Sequence, residues 1–147
     1  MGYQEKKSIL LAITQVLLTI GYFWHVAGQY AALAPDADLL LFWAKTIVVM
    51  VPVFMAGHIT ALIVFTILNK QITGESVPKF QDERDKLIEL KATRIEYFTI
   101  ILGVFASMVY VWRGDGLTTM FIVLITGLVL SGFLTQMTRI ILYRLDA

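Results

Sequence analysis

The sequence predicts an all-α, polytopic membrane protein with four transmembrane helices in two hairpins. Three observations carry this. The 147 residues are 58% hydrophobic, with a mean hydropathy of +0.75. Only 16% are charged, against about 25% in a soluble domain. The charges also fall between four long uncharged runs. A water-soluble domain of this size leaves much of its surface exposed and has no interior for such an apolar excess. Disorder is excluded on the same ground. The absence of Cys excludes a disulfide scaffold and any thiolate site. The net charge of +1 gives no reason to expect a nucleic-acid partner.

The uncharged runs are Ser8 to Pro35, Thr46 to Asn69, Tyr97 to Trp112 and Gly116 to Thr138, of 28, 24, 16 and 23 residues. A spanning helix takes about 20 residues to cross about 30 Å of hydrocarbon. Three runs suffice alone. The third must borrow a turn from Ala92 to Glu96, which draws Arg94 and Glu96 into the membrane edge. A β-barrel would need alternating apolar and polar residues. Stretches such as Ile9-Leu10-Leu11-Ala12-Ile13 do not alternate, so helices satisfy the backbone in lipid.

The first span is placed at 8–33. Lys6-Lys7 before an apolar stretch, with Ala32-Leu33-Ala34 after it, resembles a secretory signal. The apolar region exceeds the usual length of about 7–15 residues, and Pro35 would follow the cut, so a mature span is expected. The second span is placed at 38–69. Pro52 inside it predicts a kink. The tight turn Ala34-Pro35-Asp36-Ala37 joins the two. A polar connection and helix follow over 70–91. There Thr73-Gly74-Glu75-Ser76 reads as a turn and Pro78 as a first helical turn. The third helix is expected over 79–113, spanning the membrane at 92–113. Gly114-Asp115-Gly116 then turns into a fourth span at 117–145. The whole reads as one four-helix domain, 1–147. Paired segments, such as Tyr22-Phe23-Trp24-His25 with Tyr110-Val111-Trp112-Arg113, allow either a diverged parallel repeat or chance likeness among apolar helices.

Orientation follows from the basic residues. Lys6, Lys7, Lys70, Lys79, Arg84, Lys86, Lys91, Arg94, Arg139 and Arg144 lie on one side, ten of twelve. The positive-inside rule then predicts that both termini and the middle connection are cytoplasmic.

Three groups of residues are candidates for function. Gly57, Gly103, Ser107, Gly127 and Ser131 belong to small-residue pairs at four-residue spacing, which let helix backbones approach closely. They serve packing within the monomer or a homo-oligomer interface. Gln15, His58, Glu96 and Gln136, with Arg139, form an expected polar layer, one uncharged or ionisable polar group per span at about the same depth. An intramembrane Glu is a candidate proton or cation site, with His58 able to share the proton. The alternative is interhelical hydrogen bonding, with Glu96 paired to Arg94 or Arg139. Third, Asp82, Asp85 and Glu89 share a helical face with Glu96. That face reads as a cation or basic-partner site, or as a solvated, self-paired helix near the headgroups.

No catalytic residue and no metal site is expected. His25 and His58 differ in depth by about 18 Å and cannot both ligate one haem, so no cofactor is anticipated. His25, Trp24, Trp43, Lys45, Tyr110, Trp112 and Arg113 gather near the opposite surface, as an interfacial aromatic belt does.

Asp82-Glu83-Arg84-Asp85-Lys86, then Lys91-Ala92 and a span, resembles a pattern in uncharacterised prokaryotic multi-pass membrane proteins, over about residues 80–112. The resemblance implies a bacterial or archaeal cytoplasmic membrane and no chemistry. The chain is also similar to small multidrug transporters in having four short helices. Those carry a membrane Glu in the first span, where this chain has only Gln15 and His25. The function expected first is non-enzymatic: a homo-oligomer in the lipid bilayer, or an accessory subunit of a membrane protein partner. The second is a small proton- or cation-coupled transporter or channel using Glu96 and His58.

Overall fold

A computed structural model describes residues 2–74 and 82–145, and these are all-helical. The elements are α1 (Tyr3–Ala31), α2 (Leu39–Thr73), α3 (Glu83–Arg113) and α4 (Gly116–Leu145). All four are long and apolar enough to span a membrane. α1 starts five residues before the expected position, because Glu5, Lys6 and Lys7 continue the helix rather than precede it. α2 passes through Pro52 without a break in helical assignment. The charged segment from Glu83 and the third span are one continuous helix. The turn expected at Glu75-Ser76, Pro78 and the helix start at Lys79 lie outside the described residues.

Local chemistry sets the ends. The Asp38 carboxylate accepts from the Leu41 backbone N–H at 3.1 Å and caps α2. Asp82 does the same for α3 through the Glu83 N–H. Gly114 stops α3 in the left-handed region (φ 84°), a conformation that L side chains rarely adopt. Within the spans, Thr19, Thr46, Thr66, Thr99, Thr126 and Thr138 each donate to the carbonyl four residues back. Their hydroxyls are thereby satisfied without a partner helix.

The helices are ordered α3–α4–α1–α2. α3 and α4 pack along their length, and α4 and α2 both flank α1. α2 meets α4 over a shorter stretch, through the stacked rings of Trp43 and Phe121 and the Trp43 indole N–H donating to Thr118. No Cα of α2 comes within 8 Å of any in α3. The bundle is therefore open between its second and third helices.

Val26, Trp43, Met50, Phe121 and Ile125 form a buried apolar cluster, but much of the apolar bulk is exposed. Trp24, Trp112, Leu102, Phe105 and Ile72 are among many exposed large side chains. The least exposed residues include Ser107, Ala92, Ser131 and Thr135. Apolar bulk faces lipid, and small residues line the seam where helices meet. A Cβ on Gly103 would lie 2.8 Å from the Gly127 Cα, and one on Gly127 would lie 2.7 Å from the Gly103 Cα. The two backbones touch directly. Ser107 and Ser131 continue the seam, each donating to a carbonyl of its own helix at 2.7 Å. Gly57 is tight against Leu18 of α1. Gly28, which has the same four-residue spacing from Ala32, faces open space.

Gly103→Leu or Gly127→Leu must force α3 from α4. Overpacking of this kind costs about 1–3 kcal/mol or more. Gly28→Leu, in open space, should be silent. Thermal unfolding in detergent is expected to show a large loss for the first two substitutions and none for the third. Equal stability of all three would refute the close crossing.

Candidate functional site

Counted from the helix ends at the two hairpin turns, Gln15, His58, Glu96 and Gln136 lie 16, 19, 17 and 20 residues deep. At 1.5 Å per residue they occupy a band of about one helical turn. The structure separates them into two groups at that level.

The first group lines a cleft of about 400 Å³ between α2 and α3, floored by α1 and α4. Gln15 comes from α1, His58 from α2, Glu96 from α3, and Ser131 with Gly132 from α4. Met50, Phe54, Met55 and Leu62 give the α2 wall its apolar character. His58 Nδ1 lies 2.8 Å from the Phe54 carbonyl. A carbonyl only accepts, so Nδ1 carries a proton and Nε2 is the acceptor of the neutral ring. The Gln15 amide donates to the Val129 carbonyl at 3.4 Å and lies flat over Gly132, whose missing side chain gives it room.

Glu96 is half-buried, and its hydrogen-bond partner is Thr135 Oγ1 at 3.4 Å. That hydroxyl has one proton and also meets the Ser131 carbonyl at 2.8 Å. The carboxylate thus holds the longer branch of a shared donor. Neither Arg94 nor Arg139 forms an ion pair with Glu96 among the described residues. Among the described residues no Lys or Arg lines the cleft. Gln15 also lines a second groove, of about 490 Å³, on the far side of the α1–α4 seam, among Ile20, Phe23, Val129 and Phe133. Gln15 and Val129 line both spaces.

The second group starts at Gln136 and runs from that level towards the termini. Arg139 donates through Nη1 to Gln136 at 3.2 Å and through Nη2 to Glu89. Tyr143, one turn further along α4, lies against Asp85, with Glu89 and Arg139 as charged neighbours. Ile88 and Ala92 are buried beneath this ladder. Arg144 pairs with Glu5 of α1 at 2.9 Å. The acidic face of α3 is therefore engaged within the chain: Asp82 caps the helix, Asp85 meets Tyr143, and Glu89 meets Arg139. Among the described residues no three His, Cys, Asp or Glu side chains converge on a metal position.

Gln136 and Arg139 thus sit apart from Gln15, His58 and Glu96, because Glu89 draws the guanidinium towards the termini. Two further residues were not singled out in the sequence. Thr135 falls on the row Gly127, Ser131, Thr135, one turn apart each time, which extends the small-residue seam to Glu96. Tyr143 follows Arg139 by four, as Glu89 follows Asp85 by four, so the two pairs face each other.

Length and composition of the helices make this a multi-pass membrane protein. Comparison with models of known families, with curated proteins and with solved structures finds no match for the chain.

Among the described residues Glu96 has no ionic partner to lose. Glu96→Gln should shift the unfolding free energy by no more than about 0.5 kcal/mol. Arg139→Ala strips a charged donor from both Glu89 and Gln136 and should cost about 1–3 kcal/mol. Chemical unfolding in mixed micelles measures both. A larger loss for Glu96→Gln than for Arg139→Ala would mean that Glu96 is a structural residue.

Proposed function

We propose that the protein is a small membrane transporter or channel whose working site is the α2–α3 cleft, with Glu96 as the proton- or cation-binding group and His58 as its partner. The observation that carries this reading is the shared cleft. Two ionisable groups, on helices with no Cα pair within 8 Å, line one space, and the nearby arginine is committed to Glu89. An ionisable side chain inside a membrane is costly to retain and marks a functional site by default. In this reading His58 passes or shares a proton through Nε2 while Nδ1 stays anchored on α2.

The orientation proposed with it places both termini and the 70–91 connection in the cytoplasm of a prokaryotic cell, with the protein in its inner membrane. The ion pair of Glu5 with Arg144 and that of Glu89 with Arg139 support a common end for the termini and this connection. The basic excess of that end then selects the cytoplasmic side.

A second reading is favoured by the same opening. α2 and α3 leave adjacent apolar faces uncovered, and a second copy or a partner's helix can fill them. The protein would then be a non-enzymatic accessory subunit or homo-oligomer.

Cytoplasmic reporters fused at either terminus should be active, and a periplasmic reporter at either end should be silent. The opposite pattern would overturn the orientation. In proteoliposomes, a pH jump or cation gradient should drive flux that Glu96→Gln lowers by about tenfold or more. Flux unchanged by Glu96→Gln, with a stable dimer that closes the cleft, would favour the second reading.

A further inference from the structure

Among the described residues α3 packs on α4 alone. The face it uses carries Asp85, Glu89 and Glu96, which meet Tyr143, Arg139 and Thr135. On the face turned from α4, spacings of four, three and four residues align Leu87, Lys91, Arg94 and Phe98, all exposed. Neither cation has an ion pair among the described residues. The residues three and four away from Lys91 are Leu87, Ile88, Arg94 and Ile95; those around Arg94 are Leu90, Lys91, Tyr97 and Phe98. No carboxylate stands among these neighbours, and the two like charges repel each other. The pair therefore calls for an anion from outside the chain.

The level of the pair along α3 decides which anion reaches it. Counted from Arg113, Arg94 lies 19 and Lys91 22 residues along the helix, about 28 and 33 Å at 1.5 Å per residue. They bracket the edge of a hydrocarbon layer about 30 Å thick, the level of lipid phosphates. Towards the bilayer centre the same face continues with exposed Phe98, Leu102 and Phe105. Tyr97 stands beside Phe98, with ring centroids 5.9 Å apart, as aromatic side chains do at an interface. We propose that Lys91 and Arg94 bind the phosphate of an anionic phospholipid whose acyl chains lie along Phe98, Leu102 and Phe105. The guanidinium fork and the ammonium, one turn apart, converge on one phosphate group. A soluble anion would meet the same charges and leave the apolar surface below them unmatched. The site is separate from the α2–α3 cleft, rests on no transport reading, and holds for either orientation of the chain.

Native mass spectrometry of the full chain in detergent provides the test, as dissociation constants for the first bound phosphatidylglycerol and the first bound phosphatidylcholine of equal chain length. Wild type should hold the anionic lipid about tenfold or more tightly, since each basic residue near a membrane surface adds about fivefold. In the variant carrying Lys91→Gln and Arg94→Gln the two lipids should bind within about threefold of each other. Arg84→Gln removes a charge seven residues further out than Lys91, about 10 Å beyond it, and should keep the preference. Glycerol phosphate at the same concentration should not displace the lipid. An unchanged preference in the double variant would overturn the proposal. So would an equal loss in Arg84→Gln, which would mark a diffuse field in place of a site. Displacement by glycerol phosphate would reassign the pair to a soluble anion and refute the lipid. Should the double variant fail to fold, the two single substitutions decide, and an unchanged preference in both would sink the site.

Discussion

In lipid, apolar side chains gain little by turning from acyl chains to one another, so helices associate where their backbones can come close. Here that place is the crossing of Gly103 and Gly127, where a single added Cβ on either residue would strike the other's Cα. The seam continues through Ser107, Ser131 and Thr135, all small and almost fully buried. α3 is thereby committed to α4 along its whole length. At one end the commitment is reinforced by Glu89 with Arg139 and by Asp85 with Tyr143.

The opening between α2 and α3 follows from that commitment. α4 is the central helix, and α1 takes its other flank. α2 is left to pack on α1, with Gly57 against Leu18 and Tyr3 beside Phe65. It reaches α4 at Trp43, near the hairpin turns, where the Tyr22 hydroxyl also donates to the Thr46 carbonyl at 2.6 Å. Among the described residues no comparable crossing brings α2 onto α3. The cleft between them holds Glu96 and His58 at the level where Thr135 ends the small-residue row. The packing that makes the bundle and the space that could serve function are two results of one arrangement.

Much of the fold was legible in the sequence, because the gaps between charges mark the spans directly. Gly114-Asp115-Gly116 reads as a turn for the same reason that it forms one: only glycine takes the left-handed conformation at no steric cost. The depth of Gln15, His58, Glu96 and Gln136 was also readable from the helical rise. Which of them meet was not. Depth fixes the position along a helix axis, whereas meeting depends on rotation about that axis and on which helices are neighbours. The order α3–α4–α1–α2 is set by close crossings, and Gly28 shows that small residues at the right spacing do not by themselves make one. Arg139 is the opposite case: 23 residues from its hairpin turn, it is level with Glu89 at 24 and not with Glu96 at 17, and it is Glu89 that it meets.

The separation of α2 from α3 at the level of Glu96 can be measured by cross-linking, since the chain has no native cysteine. A disulfide needs Cα atoms closer than about 7 Å, and no α2–α3 pair comes within 8 Å. In the variant carrying Ile59→Cys and Glu96→Cys, direct oxidation should therefore give no internal disulfide, while a short flexible bis-thiosulfonate should bridge the two positions. Efficient disulfide formation by direct oxidation would mean that the helices touch and that the cleft does not exist.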